Sequence, residues 1–381
     1  MPTLGRTHER HSTVPMKTVA IVLAAGQGTR MRSETPKPLH SICGRPMVLH
    51  AVHALELIGV SRTMLVIGHG AQRVSDEVRL NAPEWALVGF AEQAKQRGTG
   101  DAAMVGLRAH DELDGVTHAD LDDESTVVVM PGDTPLLRPE TIKLLVDEHE
   151  RSGNAATLLT AVLDEPYGYG RVLRAKDNRV LRVVEERDAS AAERSIGEVN
   201  TSIYAFKRGL FGPALRRIQN NNAQGEFYLT DVVEVLAAMG HRVGTVQADP
   251  VEVNGVNDRW QLALAERELR ARTNRAWLLA GVTMLDPRQT FIDVTVRIGR
   301  DVTLYPGVIL QGHTVVGDHC TIGPSARLNN TDVGAHSRVE QTTAVDSVIG
   351  ERCEVGPYAH LPEGTKVESG TKTGAFYDGS Q

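Results

Sequence analysis

Two glycines and two cationic side chains follow the first apolar segment of the chain, in an arrangement suited to binding phosphate. Residues 23–31 read LAAGQGTRM, and residues 36–37 read PK. Glycine lets the backbone approach a ligand closely, and successive N–H groups in such a loop form an anion-binding nest. The alternative is an ordinary tight turn, because the string is neither a Walker loop nor GxGxxG. The candidate phosphate-binding residues are Gly26, Gly28, Thr29, Arg30 and Lys37.

Asp133 is the second group of chemical interest. It follows an apolar segment in the string MPGDTP at residues 130–135. Proteins hold Mg²⁺ with hard oxygen ligands, so the carboxylate is a candidate Mg²⁺ ligand beside bound phosphates. The alternative is an aspartate that caps a turn. A position at the same sheet edge as Gly26 and Gly28 favours the metal-binding interpretation.

Alternating strands and helices would position both groups. Residues 18–25, 63–67 and 125–130 are continuous apolar runs, typical of strands buried on both faces of a parallel sheet. Helices are predicted over 48–58 and 138–146. The alternation predicts an α/β fold, a Rossmann-like sheet with helices on both faces and right-handed crossovers. Ligands bind such sheets beyond the carboxyl ends of the strands, where both candidate groups are expected.

A different periodicity follows a helix predicted over 259–280. Aliphatic residues recur every six positions over 298–328, then at 333 and 339 and again over 349–367, often with a glycine next to them. A hexad repeat is the signature of a parallel β-helix, in which three hexads close one triangular coil. An ordinary β-domain with chance spacing is the alternative. The run 298–367 predicts a short left-handed β-helix of about four coils.

Further motifs extend the pattern over most of the chain. They are Gln93 with Gly98-Thr99-Gly100, Gly168-Tyr169-Gly170-Arg171, Val184-Glu185, Glu198-Val199-Asn200-Thr201, Asn221-Asn222-Ala223-Gln224, Tyr228-Leu229-Thr230-Asp231 and Gly255-Val256-Asn257. Together with the first loop, their order and spacing resemble those of the bacterial N-acetylglucosamine-1-phosphate uridyltransferases, from about residue 18 to residue 376.

This resemblance implies a role for each matching position. The backbone from Leu23 to Gly26 would line the nucleotide, and Gln93 and Gly98 would contact the uracil edge. Asp133 and Asn257 would hold Mg²⁺. The other nucleotide- or sugar-binding positions that the resemblance implies are Thr99, Pro131, Gly132, Gly170, Glu185, Asn200, Tyr228 and Thr230. Taken singly, each has a plainer interpretation, such as a surface amide, a solvated charge or a turn residue.

The resemblance implies a UDP-N-acetylglucosamine diphosphorylase, which transfers a uridylyl group from UTP to N-acetylglucosamine 1-phosphate during synthesis of cell-wall precursors. The attacking phosphate oxygen is already ionised near neutral pH, so no catalytic base is required. Arg30 and Lys37, as catalytic cations, and Mg²⁺ would stabilise the charge that leaves on pyrophosphate. The alternatives are the same chemistry on another sugar or nucleotide, and a non-catalytic β-helix subunit that mediates assembly.

Full-length members of that family also acetylate glucosamine 1-phosphate with a longer β-helix. Pro362, in Leu361-Pro362-Glu363-Gly364, stands where the family motif has an arginine. The family's later acetyltransferase residues would lie beyond Gln381. We therefore expect a truncated acetyltransferase part without activity. A homotrimer through the short β-helix is an open expectation.

Length and motif positions predict the domain organisation. The expected segments are a disordered tail at 1–17, a nucleotidyltransferase domain at 18–257, a linker helix at 258–281, a truncated β-helix at 282–376 and a tail at 377–381.

Composition excludes several other classes of protein. A net charge of −7 argues against general nucleic-acid binding, which needs a basic face. Three scattered cysteines favour neither a disulfide framework nor a zinc site and suit the cytoplasm. No run of about 18 apolar residues predicts a membrane span, and the N-terminal residues lack the apolar core of a secretory signal.

Overall fold

The computed structural model describes residues 18–113 and 123–379. The tail expected at 1–17 and the last two residues of the tail expected at 377–381 lie outside this range. Within it the chain forms two compact units. One contains residues 18–27 and 51–253, and the other contains residues 28–50 and 254–379. The domain boundaries given above remain predictions.

The first unit is built on a nine-stranded sheet. Its strands are β1 (Thr18–Ala24), β2 (Val60–Ile67), β3 (Val88–Glu92), β4 (Thr126–Pro131), β5 (Ala156–Val162), β6 (Gly170–Arg174), β7 (Val180–Val184), β8 (Glu198–Lys207) and β9 (Val243–Gln247). Seven strands follow the order β9-β5-β8-β4-β1-β2-β3, and β6 and β7 extend from β8. The three predicted strands are confirmed as β1, β2 and β4.

Most strands of the sheet run in one direction, as predicted, but β7 and β8 run in the opposite direction. β1 runs parallel to both β2 and β4, whereas β8 runs antiparallel to β4, β5 and β6. The register of β8 against β5 shifts between Asn200 and Tyr204. Such a bulge bends a strand and redirects its side chains. β8 can thereby pair with β5 and β4 along its length and with the β6–β7 hairpin at its start.

Helices cover both faces of this sheet. Over the whole described chain they are α1 (Met47–His53), α2 (Ala71–Asn81), α3 (Thr99–Leu113), α4 (Pro139–Ser152), α5 (Ala191–Arg194), α6 (Arg208–Leu215), α7 (Asp231–Ala238) and α8 (Arg259–Leu279). Apolar residues of α3, α6 and α7 share one core with the sheet, and α4 packs on β5, β8 and β9 outside that cluster. The helix predicted over 48–58 ends earlier, at His53, and a 3₁₀ turn at Glu56–Ile58 follows it.

The second unit is dominated by a left-handed parallel β-helix, as predicted. Its strands form three ladders of five parallel strands each. The ladders begin at Thr283–Met284, Phe291–Ile292 and Arg297–Ile298 and end at Glu354–Val355, His360–Leu361 and Lys366–Val367. The aliphatic hexad positions point inward and are buried. Two strands of the first coil precede the hexads identified in the sequence, which begin at Ile298 in the third strand of that coil. The β-helix therefore has five coils, where the sequence predicted about four.

Glycines at one corner of the β-helix let successive coils pack closely. A Cβ on Gly317 would lie 2.7 Å from the backbone nitrogen of Ala335, and one on Gly334 would lie 2.6 Å from that of Glu351. Contacts this short are not tolerated, so only glycine fits these corners. The recurrent glycine of the sequence pattern therefore reflects backbone packing between coils.

Residues 28–50 belong to this second unit through contacts with α8 and the first coil. The backbone N–H of Cys43 donates to Glu266 Oε2 at 2.6 Å, and its carbonyl accepts from Val294 N at 3.0 Å. α8 confirms the helix predicted over 259–280, and the Asp258 side chain caps it by accepting from Gln261 N at 2.8 Å. In the part of the chain described here, no helix has the length and apolar character needed to cross a membrane.

Candidate active site

The carboxyl ends of β1 and β4 lie side by side, as the sequence predicted. Leu23 pairs with Pro131 in parallel register, and Gly132 N donates to Leu23 O at 2.9 Å. A Cβ on Gly132 would lie 3.3 Å from Ala24 Cβ, so a small residue is needed at this position. Asp133 follows directly and is half-buried. The turn that carries Asp133 therefore leaves the sheet at the same edge as the Leu23–Gly26 backbone.

A second group of candidate residues is gathered in the other unit, around Asn257. Arg30 Nη2 and Lys37 Nζ both donate to Asn257 Oδ1, each at 2.9 Å. The Asn257 backbone is held in turn, because its N–H donates to Gln261 Oε1 at 2.7 Å. Two cations thus converge on one acceptor that carries no full charge. Such a pair favours an anionic ligand.

Gly28 is required for this arrangement. It adopts a φ of +62°, a conformation that other residues rarely adopt. A Cβ at this position would lie only 2.5 Å from Lys37 Cβ. The stem of Lys37 therefore packs directly on the glycine backbone. Thr29 begins the 3₁₀ turn that follows, Thr29–Met31, which carries Arg30.

The oxygen atoms expected to hold a divalent cation are divided between the two groups. Asp133 offers a carboxylate in the first unit, and Asn257 offers an amide oxygen in the second. Among the described residues, no cluster of three or more His, Cys, Asp or Glu side chains is arranged to hold a metal ion. A carboxylate and an amide oxygen are each the kind of hard ligand that divalent cations such as Mg²⁺ take from proteins.

Gln93, Gly98 and Thr99 form one hydrogen-bonded segment at the start of α3. Gln93 is buried and donates through Nε2 to Gly98 O at 3.2 Å and to Asp101 Oδ2 at 2.8 Å. Thr99 Oγ1 accepts from Leu229 N at 3.0 Å. Gly98 has a φ of +110°, and a Cβ there would lie 2.4 Å from Phe227 O. These contacts bring the segment next to residues 227–229, which immediately precede Thr230.

Four candidate sugar-binding residues lie together at the β6–β8 junction. Gly170 pairs with Asn200 across the strands, and Glu185 accepts from Thr230 Oγ1 at 2.9 Å. A Cβ on Gly170 would lie 3.4 Å from Glu185 Oε2. Tyr228, two residues before Thr230, is buried. The structure therefore groups Gly170, Glu185, Asn200 and Thr230, as the resemblance implied.

Two side chains of this group have properties suited to ligand binding. Asn200 is only 2% exposed; its Nδ2 donates to the Tyr204 hydroxyl at 2.7 Å, while its Oδ1 has no hydrogen-bond partner. A buried acceptor without a donor is unfavourable by about 1–3 kcal/mol. A ligand N–H or O–H that donates to Asn200 Oδ1 would remove this cost. Burial raises the pKa of Glu185, and the nearby charge of Asp188 raises it further.

Gln96 and Arg171 contribute to these groups without having been predicted as site residues. Gln96 donates through Nε2 to Ala25 O at 2.7 Å and accepts from Gln27 at 2.9 Å, so it braces the first loop. The sequence signal was a second glutamine three residues after Gln93.

Arg171 is fully buried and pairs with Glu186 at 2.8 Å, and Glu186 also accepts from Gly168 N at 3.3 Å. This pair fixes the loop before Gly170.

Comparison with known proteins agrees with both parts of the fold. Residues 20–202 match the MobA-like NTP transferase domain family, and residues 295–330 match the family described as bacterial transferase hexapeptide (six repeats).

Full-length relatives match along most of the chain. The bifunctional protein GlmU of Geobacillus thermodenitrificans is 42% identical over 364 residues, which are 95% of this chain and 76% of the relative. The proteins of the same name from Corynebacterium aurimucosum and Streptomyces avermitilis are each 43% identical, over 94% of this chain and 72% of theirs. The chain therefore belongs to the GlmU family and is a nucleotidyltransferase that carries a hexapeptide-repeat region.

Proposed function

We propose that this protein transfers the uridylyl group of UTP to N-acetylglucosamine 1-phosphate and releases pyrophosphate. This is the UDP-N-acetylglucosamine diphosphorylase reaction, and its product is a precursor for cell-wall synthesis. The observation that carries the proposal is the convergence of Arg30 and Lys37 on Asn257 Oδ1, next to a glycine that no other residue could replace without a clash. That arrangement concentrates positive charge where an acidic protein needs it for a polyphosphate.

The nucleotide would be bound mainly by backbone groups of the first unit. In this proposal the Leu23–Gly26 backbone lines the nucleotide, with Pro131 and Gly132 at the neighbouring strand end. Gln93 and Gly98 face the uracil edge, and Thr99 holds their segment through Leu229. A side-chain amide oxygen can accept a hydrogen bond from the ring N–H of uracil. Nε2 of Gln93 is already committed to Asp101 and Gly98, so its Oε1 is the atom we assign to the base.

The sugar phosphate would be bound at the β6–β8 junction. Asn200 Oδ1 is a buried acceptor that can receive a donor from the N-acetyl group or a sugar hydroxyl. Glu185, oriented by Thr230, can accept from another hydroxyl. Gly170 leaves room for the ring beside Glu185. The choice of an N-acetylated sugar over one that lacks the amide rests on the family resemblance.

The transfer itself needs positioning and charge stabilisation. An ionised oxygen of the sugar phosphate attacks the α-phosphorus of UTP, and the bond from that phosphorus to the bridging oxygen of the β-phosphate breaks. Pyrophosphate carries away the electron pair, so no proton has to be removed from the nucleophile. Arg30 and Lys37 would hold the departing phosphates. Asp133 and Asn257 are the proposed Mg²⁺ ligands, and bound Mg²⁺ would neutralise further phosphate charge.

The direct test is pyrophosphate release from UTP and N-acetylglucosamine 1-phosphate, with and without Mg²⁺. Parallel reactions would replace UTP by each of the other nucleoside triphosphates, and the sugar by glucose 1-phosphate. We expect the highest kcat/KM for the proposed pair. A higher kcat/KM for another pair would support the same reaction with different substrates. No release with any pair would favour the alternative of a non-catalytic assembly subunit.

We further propose that this β-helix does not transfer acetyl groups. Pro362 stands after the strand His360–Leu361 and offers no cation for an acetyl-CoA phosphate. Acetylation of glucosamine 1-phosphate by the purified chain with acetyl-CoA would contradict this proposal.

We also propose assembly as a homotrimer through the β-helix, which the mass of the protein in solution would test. The three buried free thiols fit our proposal that the protein works in the cytoplasm.

A further inference from the structure

A cavity of about 370 Å³ lies between α3 and α6, and none of its described lining residues is a candidate residue named above. It is bordered by Asp123, which lies just before β4, whereas Asp133 follows the carboxyl end of that strand. The six residues of β4 separate these two points by about 20 Å. The cavity is therefore at the opposite edge of the sheet from the proposed nucleotide site.

Residue spacing on the two helices explains why the cavity exists. Met104, Leu107 and Arg108 are on one face of α3, at helical intervals, and form one wall. On α6 two glycines also line the cavity. A Cβ on Gly209 would lie 2.8 Å from Asp123 Cβ, and one on Gly212 would meet Leu107 Cδ2 at 3.6 Å. Glycine at both positions keeps the space between the helices open.

Three arginines line this cavity, and one of them is buried with unused donor capacity. Arg208 is 6% exposed and pairs through Nη2 with Asp111, but its Nη1 has no hydrogen-bond partner. A buried guanidinium N–H without an acceptor is unfavourable. Arg108 and Arg216 are exposed at the same cavity, and neither makes an ion pair with any residue in the described ranges.

The charge balance limits what could bind. Asp111 and Asp123 also line the cavity, so among its described lining residues the three guanidinium groups leave one net positive charge. This balance suits a compact oxyanion and disfavours a polyanion such as a triphosphate. The planar guanidinium donors match the geometry of a carboxylate or a phosphate group. Met104, Leu107 and Pro213 provide an apolar wall for a small organic body.

We propose that the cavity between α3 and α6 is a binding site for a small phosphate- or carboxylate-bearing anion, held by Arg108, Arg208 and Arg216. The site is separate from the proposed catalytic residues and does not depend on the proposed reaction. Its volume falls within the range of known small-molecule pockets.

The test measures binding rather than turnover. The full-length protein would be titrated with inorganic phosphate and with acetate, against sodium chloride at matched ionic strength, by calorimetry and by thermal unfolding. All proteins would carry Lys37→Met, which weakens phosphate binding at the proposed catalytic loop. The test variant adds Arg108→Gln and Arg216→Gln. The matched control adds Arg79→Gln, which removes an exposed arginine of α2.

We expect one of the two anions to bind the parent and the Arg79→Gln control equally, and to bind the double variant at least tenfold more weakly. The anion that binds more tightly identifies the chemical class of the ligand. Gly212→Ala, whose added methyl group would make only ordinary contacts in the cavity, should also weaken binding while the protein stays folded. Equal binding by the double variant, or no binding by the parent, would overturn the proposal and leave Arg208 Nη1 to a buried water molecule.

Discussion

The ammonium of Lys37 lies 2.9 Å from the amide oxygen of Asn257, and the guanidinium of Arg30 donates to the same atom. An amide oxygen carries no full charge, so it orients the two cations without neutralising them. An anion that approaches from the same side would meet two positive charges. This relationship is the basis for the role that we propose for Lys37.

Replacing Lys37 by Met should lower kcat by about 10²–10³, because one charge that stabilises the departing pyrophosphate is lost. The apolar stem of the side chain remains, so packing on Gly28 is retained and the thermal unfolding midpoint should change little. The measurement is pyrophosphate release at saturating substrates. Lys143→Met, at an exposed lysine paired with Asp147, is the control and should keep full activity. Near-normal turnover by Lys37→Met would remove Lys37 from the mechanism.

Gly28→Ala should reduce activity much more than its effect on stability suggests. Its φ of +62° costs a non-glycine residue about 1–2 kcal/mol. The new methyl group would also lie 2.5 Å from Lys37 Cβ, so the Lys37 side chain would have to move. Gly153 provides a matched control, with a φ of +59° and no atom within 4 Å of the methyl group that alanine would add.

Both alanine variants should therefore lose a similar free energy of unfolding from the backbone alone, and Gly28→Ala should lose somewhat more. Only Gly28→Ala should lose turnover. Denaturant unfolding and initial rates, measured on the same preparations, separate the two effects. If Gly153→Ala loses as much activity as Gly28→Ala, the contact with Lys37 is not responsible.

Asp133→Asn should weaken the dependence of activity on Mg²⁺. The amide keeps the size of the side chain and one oxygen, but it removes the negative charge that attracts the cation. A titration of initial rate against Mg²⁺ should show half-saturation at a concentration at least tenfold higher. Asp147→Asn, on the surface of α4, is the control. An unchanged titration would return Asp133 to the simpler role of capping a turn.

The apolar runs and the hexad repeat could both be predicted from the sequence, because each pattern marks residues that are buried in the fold. A continuous, β-branched apolar run such as 18–25 favours a strand covered on both faces, and the hexad residues Leu304 and Leu310 are buried inside the narrow coil. The grouping of Gly170, Glu185, Asn200 and Thr230 was anticipated through family resemblance. No local spacing links residues that are sixty positions apart in the chain.

What sequence could not supply was contact between distant segments. The reversal of β8 depends on its pairing with three other strands, and the packing of Lys37 on Gly28 depends on how the intervening loop turns back. The brace from Gln96 to Ala25 spans 71 residues. These features follow from tertiary packing, which overrides local preference.

Asp231 should make the stability of the protein depend on pH. Burial raises the pKa of this carboxyl to about 6, and the charges of Glu234, Glu185 and Asp188 act in the same direction. The folded state therefore holds a proton that the unfolded chain releases near its ordinary pKa of about 3.9. Between these two values the free energy of unfolding should fall as the pH rises, and above pH 6 this contribution should level off.

Asp231→Asn should therefore stabilise the protein more at pH 7 than at pH 4, measured by urea unfolding at both values. Asp286 provides the opposite case, because hydrogen bonds from Arg288 and Gln289 lower its pKa to about 2. Asp286→Asn should remove a small stabilising interaction at pH 7 and should not stabilise the protein at either pH. If Asp231→Asn has the same effect at both pH values, folding does not shift the pKa of Asp231. The charges of Glu234, Glu185 and Asp188 would then be screened by water and would not act on Asp231.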